Sequence, residues 1–189
     1  MQNKTFKLYI APVVVLFLIC LVISAGLALA YAVAHPVIVE NTKKMEDEVR
    51  QELLPAADSF TEYDGDLLKS EDGKVEVKSA SLANNGAGVV FNVDTKSFGG
   101  TLSEMIGVDA EGKITGVKVT NSSDTPGVGT KAASEDHLGQ YQGLAELTST
   151  SAKSDQNVQA VGGASVSSNA IHYGVYEALE QFKMMGGSK

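Results

Sequence analysis

The chain has a single cysteine, Cys20, which lies inside its most apolar stretch. No disulfide can therefore cross-link the polar remainder, and that part must be held together by an apolar core. The three histidines, His35, His137 and His172, stand alone, without cysteine or carboxylate neighbours at the spacing of metal ligands. This pattern argues against a metal centre.

Two common signatures of catalysis and nucleotide binding are also missing. No Gly-x-Ser-x-Gly sequence surrounds Ser165, which argues against a hydrolase. No Gly-Lys-Ser or Gly-Lys-Thr follows the pair Gly162-Gly163, so this stretch is not a P-loop. The sequence therefore predicts no catalytic residues of its own.

Charged side chains are absent from residues 8–34. About 20 apolar residues cross a bilayer as a helix, so we predict a transmembrane helix over residues 8–34. A cleaved signal peptide is one alternative, because Ala28-Leu29-Ala30 resembles a cleavage site, but its apolar core would be shorter. A lipoprotein anchor at Cys20 is another, although Ile19 stands before it where a small residue is expected.

The charges on either side of this run differ in sign and number. Lys4 and Lys7 precede it, so the positive-inside rule predicts that residues 1–7 are cytoplasmic and that the chain is exported from about His35. All 23 acidic residues and all but two of the 15 basic residues follow the run, which gives the exported part a formal charge of about −10. Such a surface repels nucleic acids and anionic lipid head groups as broad-area partners.

Residues 35–60 are predicted to form a juxtamembrane helix and a linker. Val39, Met45, Val49 and Leu53 recur at helical spacing, and Pro55 then stops the helix. The charged residues between them are of mixed sign, as on a solvated helix face.

Residues 61–189 are predicted to form one α+β domain, with an antiparallel sheet and flanking helices. Alternating apolar residues and glycine turns predict two hairpins, with strands over residues 74–82, 88–93, 101–108 and 113–120. In the first strand Val75, Val77 and Ser79 are expected to face the core. A short helix over residues 135–144 and a polar surface loop at residues 148–151 are expected to follow.

A last helix is predicted from the serine-rich stretch to about Met185. Ser165, Ser167 and Ser168 stand at its start, directly after two glycines. Free backbone N–H groups and the positive end of the helix dipole converge at such a place, which suits a phosphate group. An ordinary serine N-cap is the alternative.

Four segments occur in a characteristic order: Phe98-Gly99-Gly100, the hairpin of residues 106–114, the loop of residues 124–129, and Gly163-Ala164-Ser165-Val166-Ser167-Ser168. This order resembles the FMN-binding domain family of respiratory membrane complexes, and within it the G subunits of Rnf electron-transport complexes. The related C subunits of sodium-pumping NADH:quinone reductases are usually longer.

The resemblance implies how a flavin would be held. In that family FMN is joined through its phosphate, by a phosphoester, to a serine or threonine of a Ser/Thr-Gly-Ala-Thr/Ser motif. Carried over, the acceptor is Ser165, with Ser167 as the fallback, and the loop of residues 125–129 packs against the flavin ring. The residues assigned to the site are Gly163, Ala164, Ser165, Ser167, Ser168, Thr125, Pro126, Gly127, Val128 and Gly129.

The resemblance also implies a function. The protein would be a membrane-anchored electron carrier in an ion-translocating ferredoxin:NAD oxidoreductase. Its partners would be the other membrane and redox subunits of the Rnf complex, and a flavin transferase would attach the FMN. Two alternatives remain at this point: a stand-alone exported flavoprotein and an exported scaffold module without cofactor.

Overall fold

The computed structural model describes residues 10–187. The chain forms two compact units that divide between Glu46 and Asp47. Helix α1 runs over Ala11–Leu53, and within residues 10–187 it is the one helix long and apolar enough to cross a membrane. It ends at Leu53, two residues before Pro55, close to the predicted end. Lys4 and Lys7, on which the predicted orientation depends, lie outside the described residues.

The second unit contains a five-stranded antiparallel sheet in which neighbouring strands follow one another in the sequence. Its strands are β1 (Phe60–Glu62), β2 (Val75–Ala83), β3 (Gly88–Lys96), β4 (Thr101–Asp109) and β5 (Ile114–Ser122). The two predicted hairpins are β2–β3 and β4–β5, and they are confirmed. The glycine turn of residues 97–100 joins the hairpins to each other.

Short helices follow the sheet. A 3₁₀ helix spans Gly129–Ala133, α2 spans Glu135–Leu138, and a second 3₁₀ helix spans Gly139–Tyr141. The predicted helix over residues 135–144 is therefore too long, because Gln142 is extended and Gly143 has a φ of +82°. The last helix, α3, runs over Ser165–Met184 and ends close to the predicted Met185.

The sheet is buried on both faces. On one face α3 packs against β2, β3 and β4, and the main core forms between them. On the other face Leu53, Leu54 and Ala57 pack against Val90 of β3 and Met105 of β4. Burial on both sides accounts for the continuous apolar run at the start of β3, where alternation is lost.

Two glycines make room for the end of α1 on the second face. Gly107 and Gly116 are paired across β4 and β5, and a Cβ atom at Gly116 would lie 3.0 Å from Leu53 Cδ2. The hydroxyl of Thr115 donates to the Leu53 carbonyl at 2.5 Å, which satisfies one of the last free carbonyls of the helix. The helix end is thereby fixed to the sheet that carries the rest of the domain.

The predicted orientation of β2 is only partly correct. Val75 and Val77 are buried, but Ser79 is only partly buried, and Ala80 and Ser81 are both buried. The pairing with β3 shifts between Val77 and Ser79, as a β-bulge does. One extra residue reverses the side on which later side chains lie.

The loop over residues 148–151 is more ordered than its composition indicates. Buried Asp155 accepts hydrogen bonds from the Thr148 N–H at 2.6 Å and the Asn157 N–H at 2.8 Å. His172 Nε2 donates to the Ser149 carbonyl at 2.8 Å, and Tyr141 Oη lies 3.4 Å from His172 Nδ1. Burial lowers the pKa of His172, so the ring is a neutral anchor that joins the loop to α3.

Candidate functional site

Helix α3 begins without a side-chain cap. The N-cap position is Ala164, not a serine, and no side-chain hydrogen bond closes the end. The first hydrogen bond of the helix runs from the Ser168 N–H to the Ala164 carbonyl at 2.9 Å, so the amides of residues 165–167 precede it. Gly163, with a φ of +81°, turns the chain into the helix in a conformation that favours glycine. The helix start thus retains amide donors that an anion can use.

The three hydroxyls at this helix start differ in accessibility. Ser168 is fully buried, and its Oγ accepts the Val161 N–H at 3.0 Å. Ser167 is 2% exposed, and its hydroxyl bonds to the carboxylate of Asp124. Ser165 alone of the three is exposed. A large phosphorylated ligand can therefore reach Ser165 without displacing either of the other two.

Asp124 joins three segments of the site. It is 5% exposed and accepts hydrogen bonds from the Ser97 hydroxyl at 2.5 Å, from the Gly99 N–H at 2.7 Å, and from Ser167. Burial alone would raise the pKa of this carboxyl, but these hydrogen bonds outweigh it and hold the pKa below its ordinary value. The ionised side chain fixes the turn after β3 and the loop after β5 to the start of α3.

The loop after β5 contains a tight turn at Pro126-Gly127. The Val128 N–H donates to the Thr125 carbonyl at 3.1 Å, and Gly127 has a φ of +75°, as expected for the third residue of a type II turn. The loop therefore contains a type II turn at these residues.

Gly129 lies in close contact with two side chains of the site. A Cβ atom there would lie 2.6 Å from Asp124 Cβ and 2.9 Å from Ser167 Oγ. The glycine allows Asp124 and Ser167 to meet.

An apolar cavity of about 330 Å³ lies where these three segments meet. Phe98, Val128 and Val166 line it while being 75%, 51% and 54% exposed. Large apolar side chains that remain in solvent around one cavity indicate a surface that an apolar ligand covers. The cavity is thus a candidate site for an apolar ligand, directly beside the exposed Ser165.

The predicted site residues are largely brought together. The cavity is lined by Thr125, Val128, Gly129, Gly163, Ala164, Ser165 and Ser167 among them. Pro126, Gly127 and Ser168 do not line it. Phe98, Asp124 and Val166 line it but were absent from the predicted set, although an exposed phenylalanine in a glycine turn was a usable signal.

A metal centre receives no support in the part of the chain that the structure describes. There, no three His, Cys, Asp or Glu side chains are grouped as metal ligands. The features that fit a cofactor are instead an anion-accepting helix start, an exposed hydroxyl and an apolar cavity. Together these features suit a ligand that has an anionic group and an apolar part.

Part of the chain is similar to a known domain. Residues 97–180 match the FMN-binding domain model, and this range contains every residue that lines the apolar cavity. A crystal structure of NqrC from Shewanella oneidensis is similar to 57% of this chain and 58% of that chain, with 19% identity and a TM-score of 0.43.

Relatives that align along most of this chain have similar names. The G subunit of the proton-translocating ferredoxin:NAD(+) oxidoreductase complex of Clostridium ljungdahlii is 27% identical, covering 90% of this chain and 89% of that protein. The G subunit of the ion-translocating oxidoreductase complex of Stutzerimonas stutzeri is 29% identical, covering 86% and 76%. The G subunit of the Na(+)-translocating ferredoxin:NAD(+) oxidoreductase complex of Acetobacterium woodii is 27% identical, covering 89% of each.

Proposed function

We propose that this chain, which carries an FMN-binding domain, is the G subunit of an Rnf-type ion-translocating ferredoxin:NAD oxidoreductase. In that complex it would relay electrons between neighbouring membrane and redox subunits. Relatives named as G subunits of such complexes align along most of their length and most of this chain. The single observation that carries the proposal is the exposed Ser165 at an uncapped helix start beside the apolar cavity.

We infer that FMN is attached through its phosphate to Ser165 by a phosphoester, and that a flavin transferase makes the bond. Ser165 supports this assignment because it is exposed, whereas Ser167 and Ser168 are buried and hydrogen-bonded. The free amides of the first turn would bind the remaining phosphate oxygens. Gly163 and Ala164 would let the phosphate approach the backbone closely, since neither has a long side chain.

The ring would occupy the apolar cavity. Phe98, Val128 and Val166 would lose solvent exposure against it, and each buried methylene contributes about 0.8 kcal/mol. The turn at Thr125, Pro126 and Gly127 would hold Val128 and Gly129 at the ring. Bound FMN supplies the electron chemistry, while the protein supplies position and electrostatics. No side chain is needed as an acid or base.

We place the FMN-binding domain outside the cytoplasm. The apolar part of α1 would anchor the chain, and Lys4 and Lys7 would remain inside because positive charge is retained there. Protease added to intact spheroplasts should then digest the domain. Full protection of the domain in that experiment would reverse the topology.

In-gel fluorescence tests attachment. The full chain expressed in a host with the intact complex should give a fluorescent band after denaturation, and Ser165→Ala should lose it, because the bridging oxygen is gone. Ser167→Ala is the matched control and should keep the band. A dark wild-type band would support a cofactor-free scaffold. A fluorescent wild-type band in a chain that purifies without other subunits would support a stand-alone flavoprotein.

A further inference from the structure

A second cavity adjoins the first at the start of α3. It has a volume of about 750 Å³ and shares Ser165 and Val166 with the apolar cavity. Three lysines, Lys74, Lys96 and Lys153, line it, and we refer to it as the lysine cavity. Asp72 lines it as well, so three lysines and one aspartate give the lining a net positive charge. Ser165 therefore borders both an apolar cavity and a basic one.

The three lysines come from separate segments that the fold fixes together. The Lys96 N–H donates to the Lys74 carbonyl at 2.8 Å, which places Lys96, at the end of β3, beside Lys74, directly before the start of β2. Lys153 belongs to the loop anchored by Asn169 of α3, whose Oδ1 accepts the Ser151 hydroxyl at 2.9 Å and the Ala152 N–H at 3.0 Å. The basic lining is therefore a product of tertiary structure.

The charge of this lining is not balanced by the protein. Lys74 pairs with Asp72 at 2.8 Å. Within residues 10–187, neither Lys96 nor Lys153 forms an ion pair within 4.0 Å. Like charges on neighbouring strands are destabilising, and the exported part is acidic overall. A local excess of positive charge in such a domain favours the binding of an anion.

We propose that Lys96 and Lys153 bind the phosphoryl group of the flavin nucleotide from the lysine cavity. This inference rests on the proposed attachment at Ser165 and extends it to the groups that neutralise the phosphate. FMN has an apolar ring and an anionic phosphate. Of the two cavities that share Ser165, one is apolar and the other is lined by lysines. The same lysines would bind the phosphate of free FMN as well as the phosphodiester of the attached flavin.

The binding arm uses the full chain with Ser165→Ala, in detergent, so that no covalent flavin forms. Titration followed by flavin fluorescence should show that the chain binds FMN more tightly than riboflavin. Inorganic phosphate and added salt should weaken the binding of FMN but not that of riboflavin. The double variant with Lys96→Gln and Lys153→Gln should bind FMN about tenfold more weakly and riboflavin with unchanged affinity, since two exposed charge contacts contribute on that order. The matched control, Lys113→Gln with Lys131→Gln, removes equal charge from two residues that line neither cavity, and it should change neither affinity.

The attachment arm keeps Ser165 and measures the fraction of chains carrying covalent flavin. The Lys96→Gln and Lys153→Gln variant should carry less than the control variant. Equal affinities for FMN and riboflavin, undetectable FMN binding at millimolar concentration, or equal effects of both lysine pairs would overturn the lysine assignment. A wild-type chain without covalent flavin would instead contradict the proposed attachment, so the two failures are distinguishable.

Discussion

Two loops flank α3, and each is organised by one buried aspartate, but they are built differently. Asp155 bonds mainly to its own loop, to Thr148, Ser149 and Asn157. Asp124 bonds to Ser97, Gly99 and Ser167, which are distant in the sequence. The first arrangement makes a loop rigid. The second gathers three segments into one cavity, so a carboxylate can be structural in one place and site-forming in another.

The largest expected effect separates these two roles. Asp124→Ala should destabilise the domain by about 3 kcal/mol and alter the flavin absorption spectrum. The variant loses the hydrogen bonds that join the turn carrying Phe98 to Ser167 at the start of α3. Asp155→Ala should cost about 2 kcal/mol and leave the spectrum unchanged. Urea unfolding and absorption spectroscopy of the two variants measure the difference. If both variants changed the spectrum equally, the comparison would be wrong.

A smaller effect is expected at Gly129. Replacement by Val should cost about 1–3 kcal/mol, since its Cβ would press on Asp124 and Ser167, and it should shift the flavin spectrum while covalent FMN remains. Gly139→Ala is the control, because no atom lies within 4 Å of a Cβ there. The urea midpoints of the flavin-carrying variants measure the loss of stability, and their absorption spectra measure the change at the flavin. An unchanged Gly129→Val spectrum would mean that the loop is only a connection.

The smallest effects concern pH. The pKa values of Asp124 and Asp155 are both held below the ordinary 3.8, so their contribution is present above that pH and is lost as the pH falls through the folded pKa. Asp124→Asn should flatten the acid limb of the stability curve. Urea midpoints measured from pH 3 upward test this, and an unchanged acid limb would contradict it.

Glu104 is expected to have the opposite effect on the pH dependence of stability. It is fully buried beside Gly174 of α3, and burial raises its pKa well above 4.5. The folded state therefore retains a proton that the unfolded state releases, and stability falls as the pH rises above about 4.5 towards the folded pKa. Glu104→Gln should remove this fall in the same urea series. A wild-type slope in that variant would show that the carboxyl is not responsible.

The sequence predicted the elements whose signals are local. Alternation and glycine turns give the two hairpins, Pro55 marks the end of α1, and the spacing of Ile171, Val175 and Phe182 gives α3. The bulge in β2 was not predictable, because an extra unpaired residue leaves no local mark in a polar run.

The sequence indicated two stretches of the candidate site but not how the fold assembles them. Residues 125–129 and 163–168 were recognised through family resemblance, and parts of both stretches line one cavity. The role of Asp124 was missed because its bonding partners, Ser97, Gly99 and Ser167, are 25 to 43 positions away. The order of the 148–151 loop was missed for the same reason: Asp155 and His172 act on it from outside the run.

The most direct test of the account is to locate the flavin. Trypsin should release residues 154–183 as one peptide, since Lys153 and Lys183 bound a segment without other lysines or arginines. Tandem mass spectrometry of protein from a host with the intact complex should place FMN, less one water, on Ser165. An adduct on Ser167, on Ser168 or on any other peptide would contradict the account.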